Sequence, residues 1–597
     1  MPVYAAPVRD YEFLLREVVK IDRFANLPRF SDAPLDVVSQ ILEEGAKFCE
    51  GVVAPLNVVG DRIGCKRNAD ATVTTPPGFK EAYEQFVAAG WPSLGCATEF
   101  GGQGLPAFVS HAFGEMLSSA NMSWAMYSGL SHGAYNALKH HGSDELKQRY
   151  LPNLVSGAWT GTMNLTEPHC GTDLGLLRTK AVAQADGTYK ISGQKIFISA
   201  GEHDMAENIV HLVLARTEGA PAGVKGISLF VVPKFIPNAD GTPGKKNGVS
   251  CGKIEEKMGI HGNVTCVLDY DDAIGWMVGA ENKGLSAMFT MMNEARLMVG
   301  MQGLSQAEVA YQNGKLYAKD RLQGRSLTGP KNPNGPADPI IVHPDVRRML
   351  MDCKSFIEGA RAFALWTAVH GDLIEASPDE KVREKAADYM ALLTPVLKSY
   401  LTDKGFESAV ACQQVFGGHG FIEEHGMSQF VRDARITMIY EGTNGVQALD
   451  LVGRKLAANG GRAIQAFFAE IDEYVKAKEG DEALKTQIEG LKAVKGQLQK
   501  ATIWLMQNAM VNFDNGAAVS HDYLNLFGLT GLSYMWAQMA EAALAAKANG
   551  GASDPFYDTK LATADYFAKR VLPNAGAHLA KLKAGAAPLM ALNAEAF

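Results

Sequence analysis

In the stretch RDARITMIYEGTNGVQ, residues 432–447, one carboxylate, Glu441, stands between an apolar, β-branched run and a Gly-Thr-Asn-Gly turn. A free glutamate, with a pKa of ~4.3, is a feeble base, and one tuned to about 6 or 7 is a useful one. Ile436, Met438, Ile439 and Tyr440 are expected to surround Glu441 with low-dielectric material, which disfavours its charge. Taken by itself, a Glu before Gly is more often the solvated end of a helix.

Two further stretches could meet a ligand. GTMNLTEPHCGTDLGLLRTKA, residues 161–181, is a polar loop rich in Thr, Gly and Asp ahead of a strand, and such loops offer N–H groups and hydroxyls to a phosphate or a heterocycle edge. QVFGGHGF, residues 414–421, carries glycines at 417, 418 and 420 that let a backbone approach a ligand closely. His419 within it is a candidate base or ligand, but a lone loop histidine is more often structural. Eight cysteines are scattered with no C-x-x-C pair, so no metal site is expected.

The elements that must position these residues change period along the chain. From about residue 10 to 158 the pattern is helical, and HAFGEMLSSANMSWAMYSGLSHGAYNALKHHG reads as a largely buried helix pair. TKAVAQADGTYKISGQKIFIS then shows two alternating runs around an Asp186-Gly187 turn, followed by IVHLVLART, GISLFVVPKF and TCVLDYDDAIGWMVG. Strands without intervening helices predict an antiparallel sheet or barrel, with IPNADGTPGKKNG as a surface loop in it. Helical periodicity returns after residue 284, breaks at GRSLTGPKNPNGPADPIIVHP, and continues beyond residue 455. The expected segments are 1–158, helical; 159–283, β; 284–455, a helical bundle; and 456–597, additional helices. No G-x-G-x-x-G follows a strand, so a Rossmann nucleotide site has no support.

Composition narrows the function classes. With 597 residues, there is material for about three or four domains. The formal charge of -8, with no block of like charges, argues against nucleic acid as the main partner. Unpaired cysteines suit a reducing compartment, and the N-terminus lacks a cationic start before an apolar core. No apolar run approaches a spanning helix. The expectation is a soluble, cytoplasmic protein.

Four stretches together resemble the acyl-CoA dehydrogenase family of flavoproteins. LTEPHCGTD resembles that family's L-T-E-P-x-x-G-[ST]-D, and ISGQKIFISAG its I-x-G-x-K-x-[WF]-I-[ST]-x-[GA]. QVFGGHGF and RDARITMIYEGTNGVQ resemble Q-x-x-G-G-x-G and R-D-x-x-x-x-x-I-Y-E-G-T. The resemblance runs from about residue 35 to 455. The N-terminal VYAAPVRDYEFLL and the extra C-terminal helices are similar to a long subgroup that includes 3-methylmercaptopropionyl-CoA dehydrogenases.

The resemblance implies α,β-dehydrogenation of an acyl-CoA thioester to the trans-2-enoyl-CoA, with FAD accepting the β-hydride at flavin N5 and electron-transfer flavoprotein accepting the electrons. Glu441 would take the α-proton, and its backbone N–H would help hold the thioester carbonyl. Thr166 and Ser199 would bond the isoalloxazine edge, Phe197 would pack on the ring in place of the commoner Trp, and Gly171 and Thr172 would meet the pyrophosphate. Thr443 would approach the flavin, while Asn444 and Gly445 stand where many relatives have Ser-Gln. Arg321 and Gln323 in KDRLQGR, with Gln414, Gly417 and Gly418, would reach the FAD of a neighbouring subunit, which implies a homodimer. Tyr440 and Gly442 flank the base on the substrate side. Some relatives carry the base just before an arginine that here is Arg296; that position is Ala295, and Glu294 would point about 100° away. Asn293 and Arg296 remain substrate-binding candidates.

Three other functions are consistent with parts of the sequence. An acyl-CoA oxidase of the same fold would release hydrogen peroxide. A flavin-containing nucleic-acid-binding or damage-response protein would need a strongly basic C-terminal region, whereas residues 456–597 mix acids with dispersed lysines. An assembly or membrane-docking module would use the apolar LNLFGLTGLSYMWAQMAEAALAA, which a buried core explains more cheaply.

Overall fold

The computed structural model describes residues 2–597, and the chain separates into two compact units. The first comprises Lys47–Leu105 and Ala120–Met298. The second comprises the chain up to Ala46, Pro106–Ser119 and Val299–Phe597.

The first unit is built on seven strands: β1 (Trp159–Asn164), β2 (Lys180–Ala183), β3 (Tyr189–Ser199), β4 (Asn208–Thr217), β5 (Ser228–Pro233), β6 (Val249–Ile254) and β7 (Thr265–Val278). β2 and β3 form the expected hairpin, where Gly187 takes φ 83° and so avoids the steric penalty of a Cβ. Pairing runs β3 to β2, β4, β5, β7 and back to β3, so these strands form a closed circuit without edges, with β1 and β6 added outside it. Most pairs are antiparallel as expected, but β1 and β2 both run parallel to β4. The chain leaves the sheet between β1 and β2 and again between β3 and β4, so β4 enters in the same direction as both. The expected surface loop at 236–248 belongs to a small hairpin, with Phe235–Pro237 pairing Pro243–Lys246. Leu212, Leu214, Leu229 and Val231 pack with Tyr150, Leu154 and Trp159 in the core.

The predicted helix pair occupies Ala107–His141 and breaks at Asn121, whose φ of -162° and ψ of 94° are extended. The Asn121 Oδ1 accepts from the Trp124 N–H at 3.1 Å and the Ser123 hydroxyl at 2.8 Å, so it caps the second half as a new helix start.

In the second unit, the C-terminal half of helix Gly284–Asp320 crosses helix Glu380–Val415 through glycines: a Cβ on Gly303 would stand 2.6 Å from the Leu401 carbonyl, and one on Gly405 2.2 Å from that of Gly303. Any larger residue would push the two helices apart. The apolar stretch at 524–546 lies on helix Phe513–Ala546, with Phe527, Leu532 and Met535 fully buried. Gly528 faces the Tyr400 ring and Gly531 the Phe363 ring, while Trp536 donates to the Ser355 carbonyl at 2.9 Å. This stretch is core.

The N-terminal helix Val8–Phe13 is tied to the same unit by buried charges. Arg361 pairs with Glu115 at 2.6 Å and Glu308 at 2.5 Å, Tyr11 donates to Glu115, and Lys560 bonds Asp10 and, at 2.9 Å, Glu358. Removing one member of such a network strands a buried charge, at about 3–5 kcal/mol.

Candidate active site

The loop before β2 is held by an ion pair. On β3, Ile191 and Lys195 share the inward parity of the strand, so Lys195 is fully buried and its ammonium needs a partner. It finds Glu167 at 2.8 Å and the Leu165 carbonyl at 3.0 Å. Glu167 also accepts from the Thr179 hydroxyl at 2.6 Å and from the N–H groups of Thr179 and Arg178 at 3.0 and 2.7 Å. Burial works against the Glu167 charge, but Lys195 and these donors outweigh it and hold the carboxyl below its ordinary range. Glu167, His169 and Cys170 bring ligand-type atoms within 4.8 Å of one another, yet the Glu167 oxygens are already committed to these donors.

This bracing fixes Thr166 beside the end of β3, where the Ile196 N–H donates to the Thr166 carbonyl at 2.9 Å. The pairing of β3 with β7 shifts register here, and Phe197 sits in the shift at φ 60° with its ring 60% exposed. The left-handed residue switches the parity of the strand, so Ile198 returns to the core. Thr166 and Ser199 are half-buried, and Gly171 and Thr172 are exposed on the same loop. An exposed aromatic face bracketed by two hydroxyls, beside exposed loop N–H groups, suits a planar heterocycle with a polar edge and an attached phosphate.

Glu441 follows helix Met427–Thr437 and is also left-handed, at φ 57°, ahead of Gly442 at φ 84°. A non-glycine residue held there stores strain of order 1–3 kcal/mol, which the surrounding structure must offset. Its anchors are amides. Gln447, fully buried, donates to the Gly442 carbonyl at 3.1 Å and more weakly to that of Glu441 at 3.4 Å. Asn444 accepts from Lys398 at 2.8 Å and donates to Asp403 at 2.7 Å, which seats the turn on helix Glu380–Val415. Thr443 caps the next helix by accepting from the Val446 N–H at 3.3 Å.

The expected apolar jacket is only partly present. Ile439 is 46% exposed, and Met438 lies 3.7 Å from an Arg435 nitrogen, because the reversal at Glu441 and Gly442 carries the preceding turn toward solvent. Tyr440 does stand against Glu441. Its hydroxyl donates to Gln302, and burial followed by the charge of Glu441 raises its pKa.

Arg321 and Gln323 are brought to one surface with the 414–421 loop. Tyr317, one turn before Arg321, stacks on Phe416 at 4.1 Å and bonds His419 Nδ1 at 2.7 Å, which accounts for His419 structurally. Arg321, Gln323, Gln414, Gly417 and Gly418 are all exposed, and a Cβ on Gly417 or Gly418 would meet nothing within 4 Å. On helix Gly284–Asp320, Ala295 is buried, Asn293 is exposed, and Arg296 donates weakly to Asn293 at 3.4 Å. Glu294 turns away as expected, pairing with His132 at 3.2 Å and accepting from Asn136 at 2.6 Å. Burial opposes the imidazolium of His132, but Glu294, with help from Cys96, lifts its pKa to about 9.

Four family patterns match this chain in order: "Acyl-CoA dehydrogenase, N-terminal domain" at residues 39–158, "middle domain" at 162–273, "C-terminal domain" at 282–456, and "Acetyl-CoA dehydrogenase C-terminal like" at 467–593. The 3-methylmercaptopropionyl-CoA dehydrogenase of Ruegeria pomeroyi is 43% identical, covering 97% of this chain and 98% of that one.

The chain belongs to the acyl-CoA dehydrogenase family. A second member, the broad-specificity linear acyl-CoA dehydrogenase FadE5 of Mycobacterium tuberculosis, is 36% identical over 96% of both chains. The fold of this dehydrogenase is shared with Caenorhabditis elegans ACDH-11, solved in complex with C11-CoA, at a TM-score of 0.76 and 20% identity over 95% of this chain and 91% of that one. The two relatives span nearly the whole chain, including the C-terminal extension. Among the described residues, no helix is long and apolar enough to cross a membrane.

Proposed function

We propose that this dehydrogenase oxidises a linear acyl-CoA to the trans-2-enoyl-CoA with Glu441 as base. The observation that carries this reading is the left-handed turn at Glu441 and Gly442, closed by Gln447 and Asn444 within the I-Y-E-G-T motif. A strained turn anchored by buried amides fixes a carboxylate in direction, which proton abstraction from carbon requires. Bound FAD would supply the acceptor for the β-hydride. Its binding is assigned to Thr166, Gly171, Thr172, Phe197, Ser199 and Thr443, whose exposed ring and hydroxyls suit the group, with Arg321, Gln323, Gln414, Gly417 and Gly418 serving the FAD of a partner subunit in a homodimer.

In the reaction the Glu441 carboxylate takes the α-proton and becomes the neutral acid, and the C–H electron pair moves into the new double bond as the β-hydride departs. Burial, followed by the charge of Glu441, raises the pKa of Tyr440 and keeps the tyrosine a neutral donor to Gln302. Gly442 leaves room for the thioester, and Asn293 and Arg296 are assigned to acyl-CoA contacts. Electron-transfer flavoprotein is the proposed acceptor, and the cytoplasm the proposed compartment.

The test is anaerobic bleaching of the flavin by a panel of acyl-CoAs that includes 3-methylmercaptopropionyl-CoA, followed by reoxidation with electron-transfer flavoprotein or air. Bleaching by at least one linear acyl-CoA, with fast reoxidation by the flavoprotein, is expected. Vigorous peroxide release in air would instead favour an oxidase, the reading on which oxygen reaches the reduced flavin.

A further inference from the structure

The far end of the C-terminal extension is apolar where it meets solvent. The segment ATIWLMQNAMVNF, residues 501–513, closes helix Lys485–Asn508 and leads into helix Phe513–Ala546; it exposes Met506 at 74%, Met510 at 77%, Val511 at 83% and Phe513 at 78%. The end of the chain is tied to the same corner: the Ala586 N–H donates to Asn515 at 3.0 Å, and a Cβ on Gly585 would lie 3.5 Å from the Trp504 ring. Leu589 and Met590, whose N–H groups both donate to the Ala586 carbonyl, are 60% and 65% exposed. Scattered surface leucines are ordinary, but a tip of methionine, valine and phenylalanine fed by two separate chain segments is not.

The rim is cationic. Lys500 lies less than a turn before Ile503, and Lys581 and Lys583 close the helix Asn574–Lys583 that leads to Gly585; all three lysines are exposed, with Asp514 the exposed acid at the turn. A twofold contact through this face would set lysines against lysines, which disfavours a second copy as its occupant. An anionic surface with an apolar interior answers both the rim and the tip.

We propose that this corner docks the protein peripherally on an anionic lipid surface, with Met510, Val511, Phe513 and Met590 entering the headgroup boundary and Lys500, Lys581 and Lys583 meeting lipid phosphates. Helix Phe513–Ala546 is buried in the unit and does not insert; only its first turn takes part.

The test is cosedimentation of the FAD-loaded full chain with phosphatidylcholine vesicles and with phosphatidylcholine/phosphatidylglycerol vesicles. Binding to the anionic vesicles is expected, weakened by raised salt and reduced about tenfold or more by Met510→Ser with Phe513→Ser, and separately by Lys500→Gln with Lys581→Gln and Lys583→Gln. These side chains are exposed, so acyl-CoA turnover and circular dichroism should not change. Absence of binding, equal binding by the apolar variant, or no preference for anionic vesicles would overturn the proposal. So would a variant that instead lowers the oligomeric state without altering vesicle binding, since a second copy would then cover the face.

Discussion

Two carboxylates in this dehydrogenase stand in motif-bearing segments, Glu441 in a left-handed turn and Glu167 in the loop before β2, and the structure treats them differently. Glu167 is spent on structure: a buried lysine, a hydroxyl and two backbone N–H groups point at its oxygens, and its pKa falls. At Glu441 the anchors grip the carbonyls of the turn and the neighbouring Asn444. A carboxylate saturated with donors is a poor base because every donor favours its charged form. Holding the backbone is how a fold can aim the side chain that the turn carries.

That contrast can be broken from either side. The largest expected effect is on Glu441→Gln: steady-state turnover should fall by about 10²–10⁴-fold, the usual contribution of a positioned base, with FAD content and unfolding midpoint unchanged. Lys195→Met should do the reverse, leaving buried Glu167 without its lysine. Urea unfolding should show a loss of about 3–5 kcal/mol together with poor FAD retention, and adding Glu167→Gln should recover part of it. Asn444→Ala lies between these outcomes, because it removes an acceptor of buried Lys398 and the donor to Asp403, and so loosens the turn. It should cost about 1–3 kcal/mol and lower kcat more than it raises KM.

The smallest effect concerns His132, whose folded pKa of about 9 lies above its ordinary 6.5. A raised pKa contributes stability that is complete below pH 6.5 and is lost as pH rises through about 9. The stability of the protein relative to His132→Gln should therefore decline across that window. A flat difference would mean that Glu294 does not hold the imidazolium.

Much of the fold was legible in the sequence, and what was missed has physical causes. The helical, β and helical order, the Asp186-Gly187 hairpin and the break in the 107–141 helix follow from periodicity and turn chemistry. The Glu167–Lys195 pair was overlooked although its signal was present: Lys195 occupies an inward position on an alternating strand, and such a charge requires a partner. Asn444 looked like a departure from the usual pattern, but its role is to bond Lys398 and Asp403, which sequence distance conceals. Gly445 is exposed, and a Cβ there would meet only the Thr443 hydroxyl at 3.9 Å, so the fold leaves that position open. The parallel pairings to β4 depend on where the chain leaves the sheet, and the exposure of Ile439 depends on two consecutive left-handed residues; hydrophobic pattern reports neither.

The central claim is that Glu441 removes the α-proton. Its most direct test is stopped-flow flavin bleaching under anaerobic conditions, comparing the parent protein with Glu441→Gln at saturating acyl-CoA. The account predicts that the variant binds the thioester normally and bleaches at least about a hundredfold more slowly. Bleaching at the parental rate would place the base elsewhere in the chain.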